Sequence, residues 1–265
     1  ALSNTFELTK SQGARPILPM HDTCALVLAA GQSSRVSSIL GNRSKVLLDI
    51  DGMTVLERNL EWLVNNGITS VWINLHYRPK DVRAVVGDGA QLGLSVSYSE
   101  EPELLGTAGA FRALAPQWTD TVLVLYGDNV TAFDLNRFLE RHWSAGSLAT
   151  IALFDPEAHA NSGIAGGKVT IKGERVIAFT EGADAASGSF LVNAGVYALE
   201  PAVLAYVPSG RAPDFGRDVF PALLAAGEQV TAHVMEPEGY CFGLDTPESL
   251  QRTLAAFGEK KDRAQ

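Results

Sequence analysis

From Thr23 onward, short apolar runs alternate with segments whose apolar residues recur at helical spacing. "CALVLA", "VWINL", "LSVSY" and "TVLVLYGD" predict strands. Between them, "TVLERNLEWLVNNG" puts Val55, Leu56, Leu60, Leu63 and Val64 on one helical face, with Asn59 the exception, and closes at Gly67. "PKDVRAVVG", opened by a proline, and "TAGAFRALA" predict further helices. Strands and helices taking turns at this spacing imply βαβ units. The expected fold class is therefore α/β, with a Rossmann-like, mostly parallel central sheet flanked by helices. "DLNRFLERHWSAG" and "LATIALF" add another helix and strand.

After Asn161 the texture changes. "KVTIKGERVIAFT" carries a glycine at the turn of an expected antiparallel hairpin, "FLVNAGVYAL" and "QVTAHVM" predict strands, and "TPESLQRTLAAFG" a closing helix. This portion is β-rich, and no internal repeat of 20 to 50 residues interrupts it. The pattern assigns residues 22–258 to a single domain, 1–21 to an aperiodic N-terminal arm expected to be disordered, and 259–265 to a C-terminal tail.

Charge narrows the partners. A net charge of −9 argues against nucleic acid or an anionic membrane, since a phosphate backbone demands a broad basic face. A phosphate-bearing ligand must then be small, and be met by local cations or a metal. Cys24 and Cys241 both lie in strand-like runs and read as buried, reduced thiols, while the five histidines show no ligand spacing. No apolar run approaches the roughly 20 residues that span a bilayer, and the N-terminus shows no signal-peptide core. A cytoplasmic protein is expected.

One loop stands out. "LVLAAGQSSR" follows a strand with Ala29, Ala30, Gly31, Gln32, Ser33 and Ser34, and its small residues would let a phosphate approach the backbone. An ordinary strand-to-helix turn looks the same. The loop is not a dinucleotide fingerprint, because Gln32 and Ser34 stand where glycines are needed, and no Gly-Lys-Ser/Thr makes it a P-loop. Cations follow it: Arg35, Arg43 and Lys45. An arginine can bridge two phosphate oxygens and a lysine can act as a point charge at a third.

These residues carry a resemblance. "LVLAAGQSSR…SKVLLDIDGMTVLERNLEWLVNNGI" resembles the N-terminal signature of the sugar-1-phosphate nucleotidyltransferases: a strand, Ala-Gly-Gly/Ala, an arginine four residues on, and Pro-Lys-Pro-Leu. "EPELLGTAGA", "YGDN", "NAGVYAL", "DFGRDVFPAL" and "LDTPESL" extend it over roughly Thr23 to Phe257. Within that family the chain looks most like the mannose- and manno-heptose-1-phosphate guanylyltransferases. Ser44 and Val46 replace the prolines flanking Lys45, which loosens the loop but keeps the cation.

The resemblance implies attack of a sugar-1-phosphate oxygen on the α-phosphorus of a nucleoside triphosphate, GTP being favoured, with release of pyrophosphate. The attacking phosphate has a second pKa of about 6, so no general base is required and catalysis becomes alignment and charge neutralisation. It further implies Arg35, Lys45 and Asp128 as catalytic residues and Mg²⁺ as cofactor, held by Asp128, which follows Gly127 at a strand's carboxyl end. The second ligand is less direct. The family's Trp-x-Asp-x-Gly-Thr-Pro aligns with Cys241-Phe242-Gly243-Leu244-Asp245-Thr246-Pro247, so Asp and Gly have changed places. Side chains two apart on a strand face the same way, so Asp245 can reach the metal; it could instead cap the helix opened by Pro247.

For the nucleotide, the resemblance adds Gly106, Gly109 and Thr107 beside the base, Gly127 at the phosphates, and Glu101 or Glu100 to read guanine. For the sugar, Glu181, Asn193 and Gly195 match, but Gly182 and Ala183 replace a Lys-Pro whose lysine meets the sugar phosphate. Lys168 or Arg217 would then complete the phosphate site. The β-rich portion is thus the expected sugar-binding part, and the expected partners are the two substrates, with self-association left open. Uridylyl or cytidylyl transfer, a cyclitol phosphate, and a non-catalytic NDP-sugar-binding regulator are the alternatives. A nicotinamide dehydrogenase is disfavoured by the loop.

Overall fold

The computed structural model describes residues 22–31, 36, 41, 43–164, 166–181, 190–210 and 212–258. In chain order its strands and helices are β1 (Cys24–Leu28), β2 (Asp49–Ile50), β3 (Met53–Thr54), α1 (Val55–Asn65), β4 (Ser70–Leu75), α2 (Pro79–Val86), β5 (Ser95–Glu100), α3 (Thr107–Ala113), β6 (Val122–Tyr126), β7 (Asn129–Ala132) and α4 (Leu135–Ala145). The second half supplies β8 (Ala149–Phe154), β9 (Ala160–Asn161), β10 (Lys168–Lys172), β11 (Arg175–Thr180), β12 (Leu191–Leu199), α5 (Phe220–Ala225), β13 (Val230–Val234), β14 (Tyr240–Gly243) and α6 (Pro247–Gly258). A π-helical turn, Phe215–Val219, leads into α5.

Nine strands form one sheet in the order β10-β11-β13-β8-β12-β6-β1-β4-β5, and β10 also pairs with β12. Strands β6, β1, β4 and β5 run parallel. Strand β12 joins β6 and β8 antiparallel, and the added β10–β12 pairing closes β10, β11, β13, β8 and β12 into a five-stranded barrel. The expected Rossmann-like, mostly parallel open sheet is therefore corrected to a mixed sheet that closes on itself at one end. The physical reason lies in the connections. The Gly173 turn (φ +62°) sends β11 straight back along β10, which only an antiparallel pair allows. Buried over nearly its whole length, β12 shows no alternation from which its direction or its neighbours could be read.

Successive strand residues serve opposite faces. Ala25 and Val27 of β1 join Leu56, Leu60 and Leu63 of α1 in one apolar cluster, while Leu26 joins Phe111 of α3 and Phe220 of α5 in another. Helix α1 starts at a reciprocal cap: Glu57 N–H donates to Thr54 Oγ1 (3.2 Å) and Thr54 N–H donates to Glu57 Oε2 (2.9 Å).

A separate three-stranded sheet, β7-β14-β9, brings distant parts of the chain together. Strands β7 and β14 are antiparallel with Gly243 opposite Asn129, so the residue entering β7 and the residues leaving β14 meet at one end. Cys24 and Cys241 are both free thiols. Burial pushes Cys241 up to about 12, which leaves it inert. Among the described residues no helix is long and apolar enough to cross a membrane.

Candidate active site

Asp128 follows β6 and Asp245 follows β14, and the antiparallel β7–β14 pairing brings their carboxylates to one buried lysine. Lys45 Nζ donates to Asp128 Oδ2 at 2.6 Å and to Asp245 Oδ1 at 2.7 Å. The residue is 8% exposed. Burial alone would lower its pKa, but the two carboxylates outweigh that and hold the ammonium above its ordinary value. Thr246, rather than Asp245, takes the capping role before α6: Ser249 N–H donates to Thr246 Oγ1 (3.1 Å) and Thr246 N–H donates to Ser249 Oγ (3.0 Å).

The exchanged glycine has a steric cause. A Cβ at Gly243 would lie 2.9 Å from Ile164 Cγ1 and 3.1 Å from Asn129 Oδ1, so an aspartate there has no room. Two residues beyond the end of β14, the half-exposed Asp245 reaches Lys45 and the pocket. Gly127 is held for a similar reason: its N–H donates to Leu28 O (2.9 Å), and a Cβ would lie 2.8 Å from that carbonyl oxygen.

At the loop after β1, Ala29 and Ala30 are buried and no described residue crowds Gly31. Gln32, Ser33, Ser34 and Arg35 lie outside the described residues. Ala29 N–H donates to Asn74 Oδ1 (2.7 Å), Asn74 Nδ2 donates to Glu101 Oε1 (2.8 Å), and Leu105 N–H donates to Glu101 Oε2 (3.0 Å). Both oxygens of the buried Glu101 thus tie the loop to the segment before α3. Glu100 instead pairs with Arg83 at the surface (2.7 Å).

Gly106 and Thr107 bind that segment to the turn before α5. Gly106 (φ +77°) is packed so closely on the 212–213 backbone that a Cβ would lie 2.5 Å from Pro213 O. Thr107 Oγ1 donates to Asp214 Oδ2 (2.7 Å) and accepts from Phe215 N–H (3.0 Å). The other oxygen of Asp214 accepts from the N–H groups of Gly216 (2.9 Å) and Arg217 (3.1 Å), which sets up the π-helical turn.

Between these parts lies a pocket of about 330 Å³, large enough for a hexose, with Asp245 in its lining. Glu181, Asn193 and Gly195 all line it, as do Tyr126, Asn129 and Arg217. Gly195 (φ +72°) lets β12 bulge: Asn193 Oδ1 accepts its N–H (2.9 Å) while Asn193 Nδ2 donates to Tyr197 OH (2.7 Å). Glu181 Oε1 projects between two glycines. A Cβ on Gly167 would lie 2.7 Å from it, and one on Gly216 would overlap it. No described residue donates to this carboxylate. Loss of hydration and the nearby Asp214 raise its pKa, with Arg217 opposing.

The two cations proposed for the missing lysine's role part company here. Lys168 does not line the pocket, and its ammonium lies 4.5 Å above the ring of Phe190. Arg217 does line it: Nε and Nη2 are spent on Asp218 (3.1 and 2.7 Å) and Nη2 also donates to Ala212 O (3.0 Å), leaving Nη1 without a described partner. Gly182 and Ala183 lie outside the described residues. A second cavity, about 360 Å³, sits at the far end of β6, and its polar groups bond one another: Thr121 Oγ1 donates to Glu200 Oε1 (2.6 Å), whose other neighbour is His142 Nε2 (3.0 Å).

The sequence reading did not single out Asn74, Tyr126, Asn129 or Asp214. Asp214 had a signal in "DFGRDVFPAL", where an aspartate stands just ahead of a helical segment, and Tyr126 and Asn129 had one in "YGDN", where they flank Gly127-Asp128; Asn74 had none beyond position. No group of three or more His, Cys, Asp or Glu among the described residues could hold a metal, so a metal here would rest on the Asp128–Asp245 pair.

Comparisons with known proteins place the chain in a family. The family profile described as Nucleotidyl transferase matches residues 24–241. The chain is similar to the mannose-1-phosphate guanylyltransferase of Mycobacterium tuberculosis, 32% identical over 240 residues, covering 89% of this chain and 64% of that one. It is also similar to the UTP–glucose-1-phosphate uridylyltransferase of Synechocystis sp., 30% identical over 218 residues, covering 77% and 55%. The chain thus spans between 55% and 64% of the length of these two relatives. In fold it is similar to HddC from Yersinia pseudotuberculosis, with a TM-score of 0.73 at 22% identity, over 90% of this chain and 100% of that one.

Proposed function

The chain belongs to the nucleotidyl transferase family, and from that premise we propose that it condenses a nucleoside triphosphate with a sugar-1-phosphate to give an NDP-sugar and pyrophosphate. GTP and a mannose- or heptose-like phosphate are the favoured substrates. The observation that carries the reading is the meeting of Asp128 and Asp245, far apart in sequence, on one lysine, with Asp245 also lining a hexose-sized pocket. Among the described residues of the site there is no nucleophile paired with a base, and the proposed reaction asks for none, its nucleophile being the substrate's own phosphate.

Two carboxylates close enough to share one cation are the donor set that Mg²⁺ takes when phosphates and water fill its other positions, so Asp128 and Asp245 would hold it. Bound there, Mg²⁺ supplies charge neutralisation at the reacting phosphate. Lys45 adds a second positive charge to the same place. Ala29, Ala30, Gly31, Gln32, Ser33, Ser34 and Arg35 receive the triphosphate, and Gly127 lets it approach the end of β6. Gly106 and Thr107 shape the wall on which the base rests. Glu101 orders that wall from within, since both its oxygens are already engaged.

On the sugar side, Glu181 accepts hydroxyls, Asn193 and Gly195 fix the floor, and Arg217 Nη1 meets the phosphate in place of the absent lysine. The guanine preference is supported by the 32% identity to a guanylyltransferase. Uridylyl transfer is the second reading, supported by the 30% identity to a uridylyltransferase. Incubation with each NTP, Mg²⁺ and a panel of sugar-1-phosphates, counting pyrophosphate, decides between them. Pyrophosphate from GTP with mannose-1-phosphate is the expected result; silence across the panel with nucleotide still bound would favour a non-catalytic regulator.

A further inference from the structure

The apolar stripe of α1 is broken once, by Asn59, whose side chain is 1% exposed. Its Nδ2 donates to Asn129 O (2.8 Å) and to Gly127 O (3.3 Å), the carbonyls of the residues on either side of Asp128. Its Oδ1 is buried with no partner among the described residues. The amide orientation follows from the acceptors: turned over, Oδ1 would face two carbonyl oxygens. An unpaired buried carbonyl costs stability, and a leucine in this stripe would avoid it.

We infer that Asn59 is a positioning residue that clamps the Gly127–Asn129 backbone, so that Asp128 faces Lys45 and Asn129 faces the pocket. The turn is held from both sides. Gly127 N–H reaches back to Leu28 O on β1, and Asn59 reaches forward from α1, which the Thr54–Glu57 cap fixes in place. Removing the clamp frees the peptide groups on both sides of the carboxylate without touching any reacting atom. This inference rests on the reading of Asp128 as a cation ligand, and its test separates the two.

The experiment compares Asn59→Leu with Leu63→Ala, a change on the same buried face of the same helix at an apolar side chain that can make no hydrogen bond to the turn. Mn²⁺ binding, read by electron paramagnetic resonance with GTP present, is expected to weaken about tenfold in Asn59→Leu and to stay within twofold of wild type in Leu63→Ala. Amide exchange at Gly127 is expected to accelerate in the first variant only. Equal Mn²⁺ affinity and equal exchange in all three proteins, or equal losses in both variants, would overturn the clamp. If wild type itself binds no Mn²⁺, the ligand reading of Asp128 fails and the Gly127 exchange rates alone decide the clamp. Should Asn59→Leu not fold, Asn59→Ala is read by the same two measurements.

Discussion

Lys45 Nζ and Asp128 Oδ2 lie 2.6 Å apart, and Asp245 Oδ1 lies 2.7 Å from the same ammonium. A cation between two carboxylates is held tightly, so each member depends on the others. Lys45→Met and Asp128→Asn are each expected to lower kcat for pyrophosphate release by about 10²–10³, the range found when a charge-stabilising group is removed. Asp245→Asn is expected to raise the Mg²⁺ concentration for half-maximal rate by about tenfold. A stability loss with turnover intact at ordinary Mg²⁺ would remove Asp245 from the cation site.

Gly243 tests why the carboxylate moved. Because Ile164 and Asn129 fill the space a side chain would need, Gly243→Asp is expected to cost about 1–3 kcal/mol in urea unfolding. Gly243→Asp combined with Asp245→Gly should not restore activity. Adding Ile164→Ala to that pair should recover part of the lost stability.

Glu181 and Gly216 form a lock of another kind. A methyl on Gly216 must push Glu181 Oε1 out of its slot, so Gly216→Ala is expected to raise KM for the sugar phosphate about tenfold while leaving KM for GTP within twofold. Glu181→Gln, which keeps the shape, should show a smaller effect of the same kind. Equal changes in both KM values would detach Glu181 from the sugar.

Arg217 and Lys168 make a matched pair of charge deletions. Arg217→Ala is expected to weaken sugar-phosphate binding by about 1.5–3 kcal/mol, the range for a hydrogen bond to a charged group, and Lys168→Ala to leave it unchanged. Isothermal titration with sugar-1-phosphate in the presence of a non-hydrolysable triphosphate reads both. The reverse ranking would return the phosphate to Lys168.

Glu236 sets a pH dependence remote from the chemistry. Burial alone would raise its pKa, but His233 beside it and the N–H groups of Glu236 and Asp134 more than offset this and lower the carboxyl from 4.5 to about 2. A depressed carboxyl stabilises the fold fully above its unfolded value and loses that contribution as pH falls towards its folded one. The urea midpoint of the wild type is therefore expected to fall between pH 4.5 and 2, and that of Glu236→Gln to be lower at pH 7 with a shallower slope over the same range.

Which parts were legible follows from what a local pattern can encode. Helix α1 was readable because its apolar face repeats at 3.6 residues and its end is a glycine. Asp128 and Lys45 could be singled out because motifs surround them, and the structure brings the two side chains together. Barrel closure was not: the β10–β12 pairing depends on Val169 opposite Leu191, and neither residue differs from any other strand apolar. Nor could spacing reveal that Thr246 caps α6 and so frees Asp245, or that Ile164 occupies the ground in front of Gly243. Asn59 shows the opposite case, an exception plain in the sequence whose meaning required Gly127 and Asn129 to arrive from 68 and 70 residues away.

The way the large sheet ends has a consequence for self-association. A sheet that bonds back onto itself keeps one free rim, and among the described residues that rim is β5, the last strand in the order. Arg83 guards it, lying 4.3 Å from the ring of Tyr98 and bonded to Glu100, so the rim carries charge where an incoming strand would need to lie flat. Growth of this sheet by strand addition is thus confined to one side of the molecule and opposed there.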